Sequence, residues 1–159
     1  MTEFSCYITT PLGTAEIIGS EAGVSTIHVH DQEMAPSTEI ASCLQQAVTE
    51  LSEYFQKKRT GFTFPINPTG TEFQKRVWQE LSKIPFGTTI SYADLTQKLG
   101  DMKAIRAVAS ANGRNPLWIV VPCHRVIGSD GSLTGYAGGL WRKKWLLEHE
   151  GALRQTSLF

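Results

Sequence analysis

Hydrophobic and polar residues alternate along three short segments near the beginning of the chain. FSCYITT and TAEIIGS are separated by PLG, and GVSTIHVHD follows SEAG. Alternation with a period of two is typical of strands that bury one face, and the glycines and proline between the segments indicate turns. The pattern therefore predicts an antiparallel β-meander that ends near Asp31.

The hydrophobic spacing changes to that of an α-helix between Ser37 and about Lys58. The apolar positions of this helix are Ile40, Leu44, Val48, Leu51 and Phe55. Ser37 or Thr38 would cap its N-terminus. The segment GFTFPINPTG that follows carries two prolines and two glycines, which predicts an extended linker. We place the domain boundary there, with an N-terminal α/β domain at residues 1–69 and a second domain at residues 70–159.

The second half of the chain is predicted to be mostly helical. Apolar positions from Thr71 to Leu81 indicate one helix, and SYADLTQKLG follows with a serine and an aspartate at capping-box spacing and a terminal glycine. Asp101 can cap the next helix, MKAIRAVASAN. Two short helices joined by a brief glycine-containing turn are typical of a helix-turn-helix. The last predicted helix is LWRKKWLLEHEG, after a glycine-rich loop.

Composition excludes several classes of protein. No run reaches the roughly 18 apolar residues that a membrane helix needs, and the N-terminus does not resemble a secretory signal. Three irregularly spaced cysteines, Cys6, Cys43 and Cys123, fit a reducing cytoplasm better than a disulfide framework. Neither a CxxC pair nor a glycine-rich nucleotide motif is present, so we expect no metal and no cofactor.

The formal net charge of zero hides an asymmetry between the two halves. Residues 1–69 carry three Lys or Arg against eight Asp or Glu, a net charge of −5. Residues 70–159 carry twelve against seven, a net charge of +5. A basic half can steer toward phosphate groups even in a neutral molecule, so this asymmetry favours a polyanionic partner.

The second helix of the predicted pair has two different faces. Ile105 and Val108, with Ala109 or Asn112, have the spacing of a buried face. The opposite face combines basic and small residues, which are Lys103, Arg106, Ala107, Ser110 and, just beyond, Arg114. Such a face lets a helix backbone approach a nucleic acid closely, and it is also what an ordinary solvated helix presents. Arg106 stands among small side chains and suits insertion into a groove.

The segment IVVPCHRVIG carries the strongest candidate chemistry. Val120 and Val121 indicate a buried extended segment, and Pro122 stiffens the approach to Cys123. A thiol becomes nucleophilic beside a base or cation, and His124 follows at once. Adjacent residues of an extended segment point to opposite sides, so His124 could serve the thiol only across a tight turn or through a water.

Two interpretations of Cys123 stay open on this pattern alone. One is a nucleophile whose histidine is oriented by a third group, for which Glu150 is the candidate. A carboxylate near a helix C-terminus is electrostatically unfavourable, which supports a specific role for Glu150. The other interpretation is a small buried side chain, the commonest fate of a free cysteine.

Taken together, these motifs resemble the O6-alkylguanine-DNA alkyltransferases, also called methylated-DNA–protein-cysteine methyltransferases. PCHRV at 122–126 is similar to their active-site signature. Further similar blocks occur in family order, which are FQKRVWQEL, IPFGTTISYADLTQKLG, RAVASANGRNP and GYAGGLWRKKWLLEHEG. The resemblance is dense over about residues 70–151. It implies a small ribonuclease H-like N-terminal domain, a β-meander plus helix, followed by a winged-helix-like domain with a helix-turn-helix.

The resemblance implies a single-use DNA repair reaction. Cys123 would attack the alkyl carbon on O6 of guanine and keep the alkyl group as a thioether. His124 would act on the thiol through a water, and Glu150 would orient His124. Asn115 would brace the active-site turn, and Tyr92 would donate to the guanine ring. No cofactor is implied.

The same resemblance implies how DNA would be held. The helix over 103–112 would lie in the minor groove, and Arg106 would replace a base flipped out of the duplex. The other residues implied at the DNA or base pocket are Lys103, Ala104, Ala107, Ser110, Arg114, Val126, Tyr136, Ala137 and Gly138. The partner would be double-stranded DNA that contains O6-alkylguanine, with O4-alkylthymine as a further candidate substrate. We expect a cytoplasmic monomer.

Two positions depart from the family pattern, and the tail adds a separate hypothesis. Ala137 stands where some relatives carry a hydroxyl, so only a backbone contact to O6 is implied. Trp118 stands where a small residue or proline is common, and the sequence offers no account of it.

The tail Gln155–Phe159 resembles the short peptide with which bacterial repair proteins dock on the DNA sliding clamp.

Two other functions compete with a repair transferase. A DNA-binding protein that marks lesions would bind without transfer, and its binding would survive Cys123→Ala. A cysteine hydrolase would turn over acyl substrates without DNA affinity, and the basic helix pair argues against it.

Overall fold

A computed structural model describes residues 2–153 and divides into two compact units. The first unit comprises the chain up to Thr69 together with Pro116–Val120, and the second comprises Gly70–Asn115 and the chain from Val121 onward. The inclusion of 116–120 in the first unit departs from the continuous 70–159 domain expected from the sequence. The clamp-like tail at 155–159 lies outside the described residues.

The first unit contains the predicted meander. Strands β1 (Phe4–Thr10), β2 (Gly13–Ser20) and β3 (Gly23–His30) form an antiparallel sheet in the order β1-β2-β3. Alternate residues of the strands enter the core, among them Cys6, Ala15, Ile17, Ile27 and Val29. The period-two prediction is therefore confirmed.

Two short segments pair with β3 by backbone hydrogen bonds. The Val24 N–H donates to the Pro65 carbonyl at 2.9 Å, so part of the predicted linker joins the sheet. Further along, the Ile27 N–H donates to the Pro116 carbonyl at 2.8 Å, and the Trp118 N–H donates to the Ile27 carbonyl at 3.3 Å. This pairing explains why 116–120 belong to the first unit. It also places the indole of Trp118 against the His28 ring, with centroids 4.6 Å apart.

Helix α1 spans Ser42–Phe55 and begins later than the apolar spacing predicts. Ser37 does not cap it, because Ser37 is held by the sheet: its N–H donates to the Tyr7 carbonyl and its Oγ accepts from the Tyr7 N–H, both at 2.9 Å. Ala41 precedes α1 instead, with no side-chain capping bond. Leu44 and Leu51 lie on its buried face.

The second unit is mostly helical, as predicted. Its helices are α2 (Glu72–Leu81), α3 (Tyr92–Lys98), α4 (Ile105–Gly113) and α5 (Leu140–His149), and its two-residue strands β4 (Ile90–Ser91) and β5 (Val126–Ile127) pair in parallel. Ser91 and Asp94 form the expected capping box at α3. A 3₁₀ turn at Met102–Ala104, capped by Asp101, leads into α4. Within residues 2–153, no helix is long and apolar enough to cross a membrane.

The buried face of α4 differs from the prediction at one end. Val108, Ala111 and Asn112 are buried, but Ile105 is 38% exposed. Ile105 is the first residue of α4, and the buried positions begin one turn later. There the Trp78 Nε1–H of α2 donates to the Ala111 carbonyl at 2.9 Å. The expectation that Ile105 belongs to the buried face is therefore wrong.

Candidate active site

Cys123 lies in a tight turn and not on an extended arm. Pro122 has φ −82° and ψ 64°, and the Cys123 N–H donates to the Val121 carbonyl at 2.8 Å, which closes a three-residue turn. Cys123–Arg125 then form one 3₁₀ turn. The backbone at Cys123 is therefore a tight turn and not the extended segment that the sequence predicts. Cys123 and His124 are both buried.

His124 and Arg125 both contact Glu150, the residue that caps the C-terminus of α5. Glu150 Oε2 lies 2.8 Å from His124 Nε2, and Glu150 also accepts from Arg125 Nε at 2.8 Å and from Arg125 Nη2 at 2.9 Å. Arg125 Nη1 donates to the Ile84 carbonyl at 2.7 Å, which fixes the guanidinium. The Cys123 turn is thereby tied to the end of α5.

Hydrogen bonding determines which nitrogen of His124 carries the proton. An ionised carboxylate only accepts hydrogen bonds, so Nε2 must be the protonated nitrogen that faces Glu150. Nδ1 then keeps a lone pair, provided that the ring is neutral. Nδ1 is buried, and among residues 2–153 no group hydrogen-bonds to it. The arrangement therefore presents a buried imidazole base.

The charges of this cluster follow from burial and pairing. Burial alone would raise the pKa of Glu150, but hydrogen bonds from His124 and Arg125 outweigh it and hold this pKa well below its usual range. Burial lowers the pKa of His124, and Glu150 only partly opposes that effect. At neutral pH the cluster is thus a carboxylate, a guanidinium and a neutral imidazole, which is the state that a base requires.

Cys123 is a protonated thiol in its resting state. Burial raises its pKa from 9.0 to about 11, while a hydrogen bond with the Asn115 side chain and the charge of Lys143 act in the opposite direction. Asn115 Nδ2 also donates to the Val121 carbonyl at 2.7 Å, so this side chain braces the turn. A thiol in this state needs a base to become a nucleophile.

Lys143 is a buried cation that the sequence analysis did not identify. Its Nζ donates to the Val126 carbonyl at 2.6 Å and to the Thr134 carbonyl at 2.7 Å. Burial lowers its pKa to about 8, and the negative charge that Cys123 carries when ionised opposes that shift. A sequence signal existed, because Lys143 has the i, i+3, i+4, i+7 spacing of a buried face with Leu146, Leu147 and Glu150. Arg125, the other missed residue, directly follows His124.

Tyr92 at the start of α3 contacts the loop that precedes α5. Its hydroxyl lies 3.3 Å from the Thr134 carbonyl and 3.4 Å from the Gly135 carbonyl, and Asn112 Nδ2 approaches it at 3.5 Å. Burial raises the pKa of Tyr92, and the nearby Cys123 adds to this effect. Tyr92 thus remains a protonated donor at neutral pH.

The residues expected around a base pocket have different environments. Burial raises the pKa of Tyr136 well above its usual value, and Cys123 contributes. Ala137 is exposed. The Gly138 carbonyl accepts from Arg142 Nη1 at 2.9 Å, and the Val126 carbonyl is bonded to Lys143. The backbone acceptors of Gly138 and Val126 therefore already have partners in this conformation.

The predicted DNA face of α4 is solvent-accessible. Its exposed residues are Lys103, Arg106, Ala107, Ser110 and Arg114, and Ala104 is partly exposed. Within the described part of the chain, no group of three or more His, Cys, Asp or Glu side chains could hold a metal ion.

Two models of known protein domains match the chain. The ribonuclease-like domain of 6-O-methylguanine DNA methyltransferase matches residues 5–68, and the DNA binding domain of 6-O-methylguanine DNA methyltransferase matches residues 72–152. The chain belongs to this methyltransferase family. The expected resemblance and the expected fold class are both confirmed.

Relatives of known identity match this methyltransferase chain over nearly its full length. The methylated-DNA–protein-cysteine methyltransferase of Mycolicibacterium paratuberculosis is 43% identical over 95% of this chain and 94% of its own. The protein of the same name from Methanosarcina acetivorans is 41% identical over 89% of this chain and 94% of its own.

Solved structures of family members have the same fold. The O6-methylguanine methyltransferase of Mycobacterium tuberculosis is 38% identical, with a TM-score of 0.84 over 98% of this chain and 97% of that one. A complex of the Mycobacterium tuberculosis protein with DNA gives a TM-score of 0.83 at 40% identity, over 92% of this chain and 91% of that one.

Proposed function

We propose that this protein repairs duplex DNA by moving the alkyl group from O6 of guanine to Sγ of Cys123. The observation that carries the proposal is the buried His124–Glu150 pair directly beside Cys123 in a chain of this family. Relatives named methylated-DNA–protein-cysteine methyltransferase support the same reaction class.

The proposed reaction balances within the groups of the site. The Cys123 proton passes through a water to Nδ1 of His124, and Glu150 stabilises the imidazolium that forms. The thiolate attacks the alkyl carbon, a carbon–sulfur bond forms, and the bond from that carbon to O6 breaks. The guanine leaves with the electron pair, and a hydrogen bond from the Tyr92 hydroxyl stabilises the charge that develops on the ring. The proton held by the His124 imidazolium then passes back through water and neutralises the guanine anion. The carbon–sulfur bond of the thioether is stable toward water, so the thiol is not regenerated and each molecule reacts once.

DNA binding is proposed for the exposed face of α4. Lys103, Arg106 and Arg114 would contact the phosphates or the minor groove, and Ala104, Ala107 and Ser110 would allow close approach. The base must leave the stack because O6 cannot reach a buried thiol within a duplex. Arg106 would replace the flipped base, and Asn115, Val126, Tyr136, Ala137 and Gly138 would form or brace its pocket.

Intact-protein mass spectrometry after incubation with an excess of O6-methylguanine duplex tests this proposal. We expect a single addition of one methylene, absent in Cys123→Ser. Binding to the duplex without any mass change would refute the transferase and favour a lesion-marking protein. Replacing the lesion with O4-methylthymine tests the second candidate substrate in the same assay, and we expect slower transfer because the pocket is proposed to fit a purine.

A sliding clamp is proposed as a further partner of residues 155–159. The support is the tail QTSLF, in which two large apolar residues follow polar ones. A pull-down with purified clamp should retain the full chain and lose a chain stopped at residue 154, and equal retention would refute the proposal. We also infer a cytoplasmic location, which the free thiols of Cys6, Cys43 and Cys123 support, and we propose that the protein is a monomer. Sedimentation at several concentrations and fractionation of cells test these two points.

A further inference from the structure

Two large apolar side chains are exposed where the 3₁₀ turn enters α4. Met102 is 51% exposed and Ile105 is 38% exposed, whereas Val108, one turn later, is fully buried. Residues three apart in a 3₁₀ turn lie one above the other, so Met102 and Ile105 are on the same side of the chain. We call this pair the apolar pair. Its exposure is a free-energy cost unless a partner covers it.

The residues around the apolar pair indicate which partner that is. Lys103 and Arg106 are both exposed. Lys103 directly follows Met102, and Arg106 directly follows Ile105. Arg106 and Ala109 continue the same side of the helix, because they lie four and seven positions after Met102. An apolar patch bordered by cations fits a polyanion with an apolar interior. A second copy of this chain would place the same cations opposite one another, which disfavours a symmetric dimer through this patch.

Duplex DNA is a polyanion with an apolar interior of stacked bases. Proteins that bind the minor groove often insert Ile, Met or other apolar side chains at a base step, which unstacks it and bends the duplex. The small residues of α4 permit close approach to a groove, whereas Met102 and Ile105 are larger and project beyond them as exposed side chains. Such side chains suit insertion at a base step of a widened minor groove.

We propose that Met102 and Ile105 form an apolar wedge that enters the minor groove beside Arg106 and unstacks the base step next to the flipped nucleotide. This inference rests on the proposed DNA repair function and gives Met102 and Ile105 a role in distorting the DNA. The wedge lowers the cost of flipping because it holds the neighbouring step already open. Arg106 then fills the space of the base, while the apolar pair covers the exposed ring edges.

The test compares affinities in the Cys123→Ser background, which binds without transfer. Its probe is an O6-methylguanine duplex with 2-aminopurine beside the lesion, titrated at several salt concentrations. The Met102→Ser/Ile105→Ser double variant should bind roughly tenfold more weakly, as expected for loss of one interface hot spot. Its plot of log affinity against log salt should keep the wild-type slope, because no cation is lost. The rise in 2-aminopurine fluorescence on binding should also be smaller, because the neighbouring base step is no longer held open.

Two matched variants control this comparison. Ile66→Ser removes an apolar residue of the first unit that is 40% exposed, and it should leave affinity and fluorescence unchanged. Lys103→Ala should reduce the slope against log salt by about 1. Thermal unfolding of every variant verifies that the fold is kept.

Two outcomes would overturn the wedge. They are an unchanged affinity in the double variant, or a changed salt slope that assigns the loss of affinity to charge. The reaction of wild-type Cys123 with a free O6-alkylguanine nucleoside tests the proposed alkyl transfer separately from the wedge, because a nucleoside has no groove for the wedge to enter. If the wild-type protein reacts with neither nucleoside nor duplex, the transferase proposal fails, whereas the wedge is judged by the binding data alone.

Discussion

His124 and Glu150 are 26 residues apart in sequence, yet both side chains are fully buried and Nε2 lies 2.8 Å from Oε2. Glu150 is the C-cap residue of α5, a position where the helix dipole disfavours a carboxylate. The two hydrogen bonds from Arg125 compensate for that position and for burial. The carboxylate is thus held charged inside the protein, where it sets the tautomer of His124.

Replacing Glu150 by Gln should slow alkyl transfer by about 10²- to 10⁴-fold. A glutamine amide can donate to Nε2, which would move the imidazole proton to Nδ1 and remove the lone pair that accepts the thiol proton. Single-turnover transfer from an O6-methylguanine duplex measures the rate. Glu148→Gln, on the same helix, is the control and should react like wild type. A wild-type rate in Glu150→Gln would show that the pair has no part in the chemistry.

The stability of the second unit should fall in acid because of Glu150. Its pKa in the folded protein lies below the ordinary value of 4.5, so below pH 4.5 the unfolded chain binds the proton first. The stabilising contribution is therefore complete above pH 4.5 and is lost progressively as the pH falls below it. Urea unfolding between pH 7 and pH 3 measures this loss.

Glu150→Gln is the variant to compare with the wild-type protein in the same urea unfolding series. This variant should be less stable than wild type by about 3–5 kcal/mol at pH 7, since Arg125 loses a buried partner. The difference between the two proteins should narrow as the pH falls below 4.5. A constant difference over that range would mean that Glu150 is not the titrating group.

Lys143 should control the acidity of Cys123. Lys143→Gln removes a buried cation that favours the thiolate, so the pKa of Cys123 should rise further and the onset of thiolate reactivity should move to higher pH. A rise of one pKa unit lowers the thiolate fraction at neutral pH about tenfold. The rate of alkylation by iodoacetamide across a pH series measures the shift. Lys144→Gln, at the exposed neighbouring position, should keep the wild-type profile, and identical profiles for both variants would contradict this role.

Much of the fold was predictable because local patterns and tertiary packing agree. The meander, α2 and the capping box at Ser91 all follow from spacing of a few residues. The start of α1 was not predictable, because Ser37 pairs with Tyr7 thirty positions earlier in the chain. The pairing of 116–120 with β3 is equally long-range. Neither contact leaves a periodic signal in the sequence.

The site was predictable in its residue types but not in its geometry. A family resemblance indicated Cys123, His124 and Glu150, and the structure places the last two in contact. The 3₁₀ turn at Cys123 was not predictable, because an apolar run before a proline indicates an extended segment. Lys143 was missed because a lysine is normally exposed, and only its position among buried leucines distinguishes it from Lys144.

Lys57→Gly should stabilise the first unit. Lys57 follows the C-terminus of α1 with φ 62°, and the N–H groups of Lys57 and Lys58 donate to the carbonyls of Tyr54 and Glu53, as in a Schellman motif. A non-glycine residue in this left-handed conformation costs about 1–2 kcal/mol, which a glycine would avoid. Glycine also makes the unfolded chain more flexible, and this offsets part of the gain in stability. The expected net gain is about 0.5–1 kcal/mol, measured by urea unfolding. Lys58→Gly, one exposed position further, is the control and should give no gain. Destabilisation by Lys57→Gly would mean that the lysine side chain supports the end of α1.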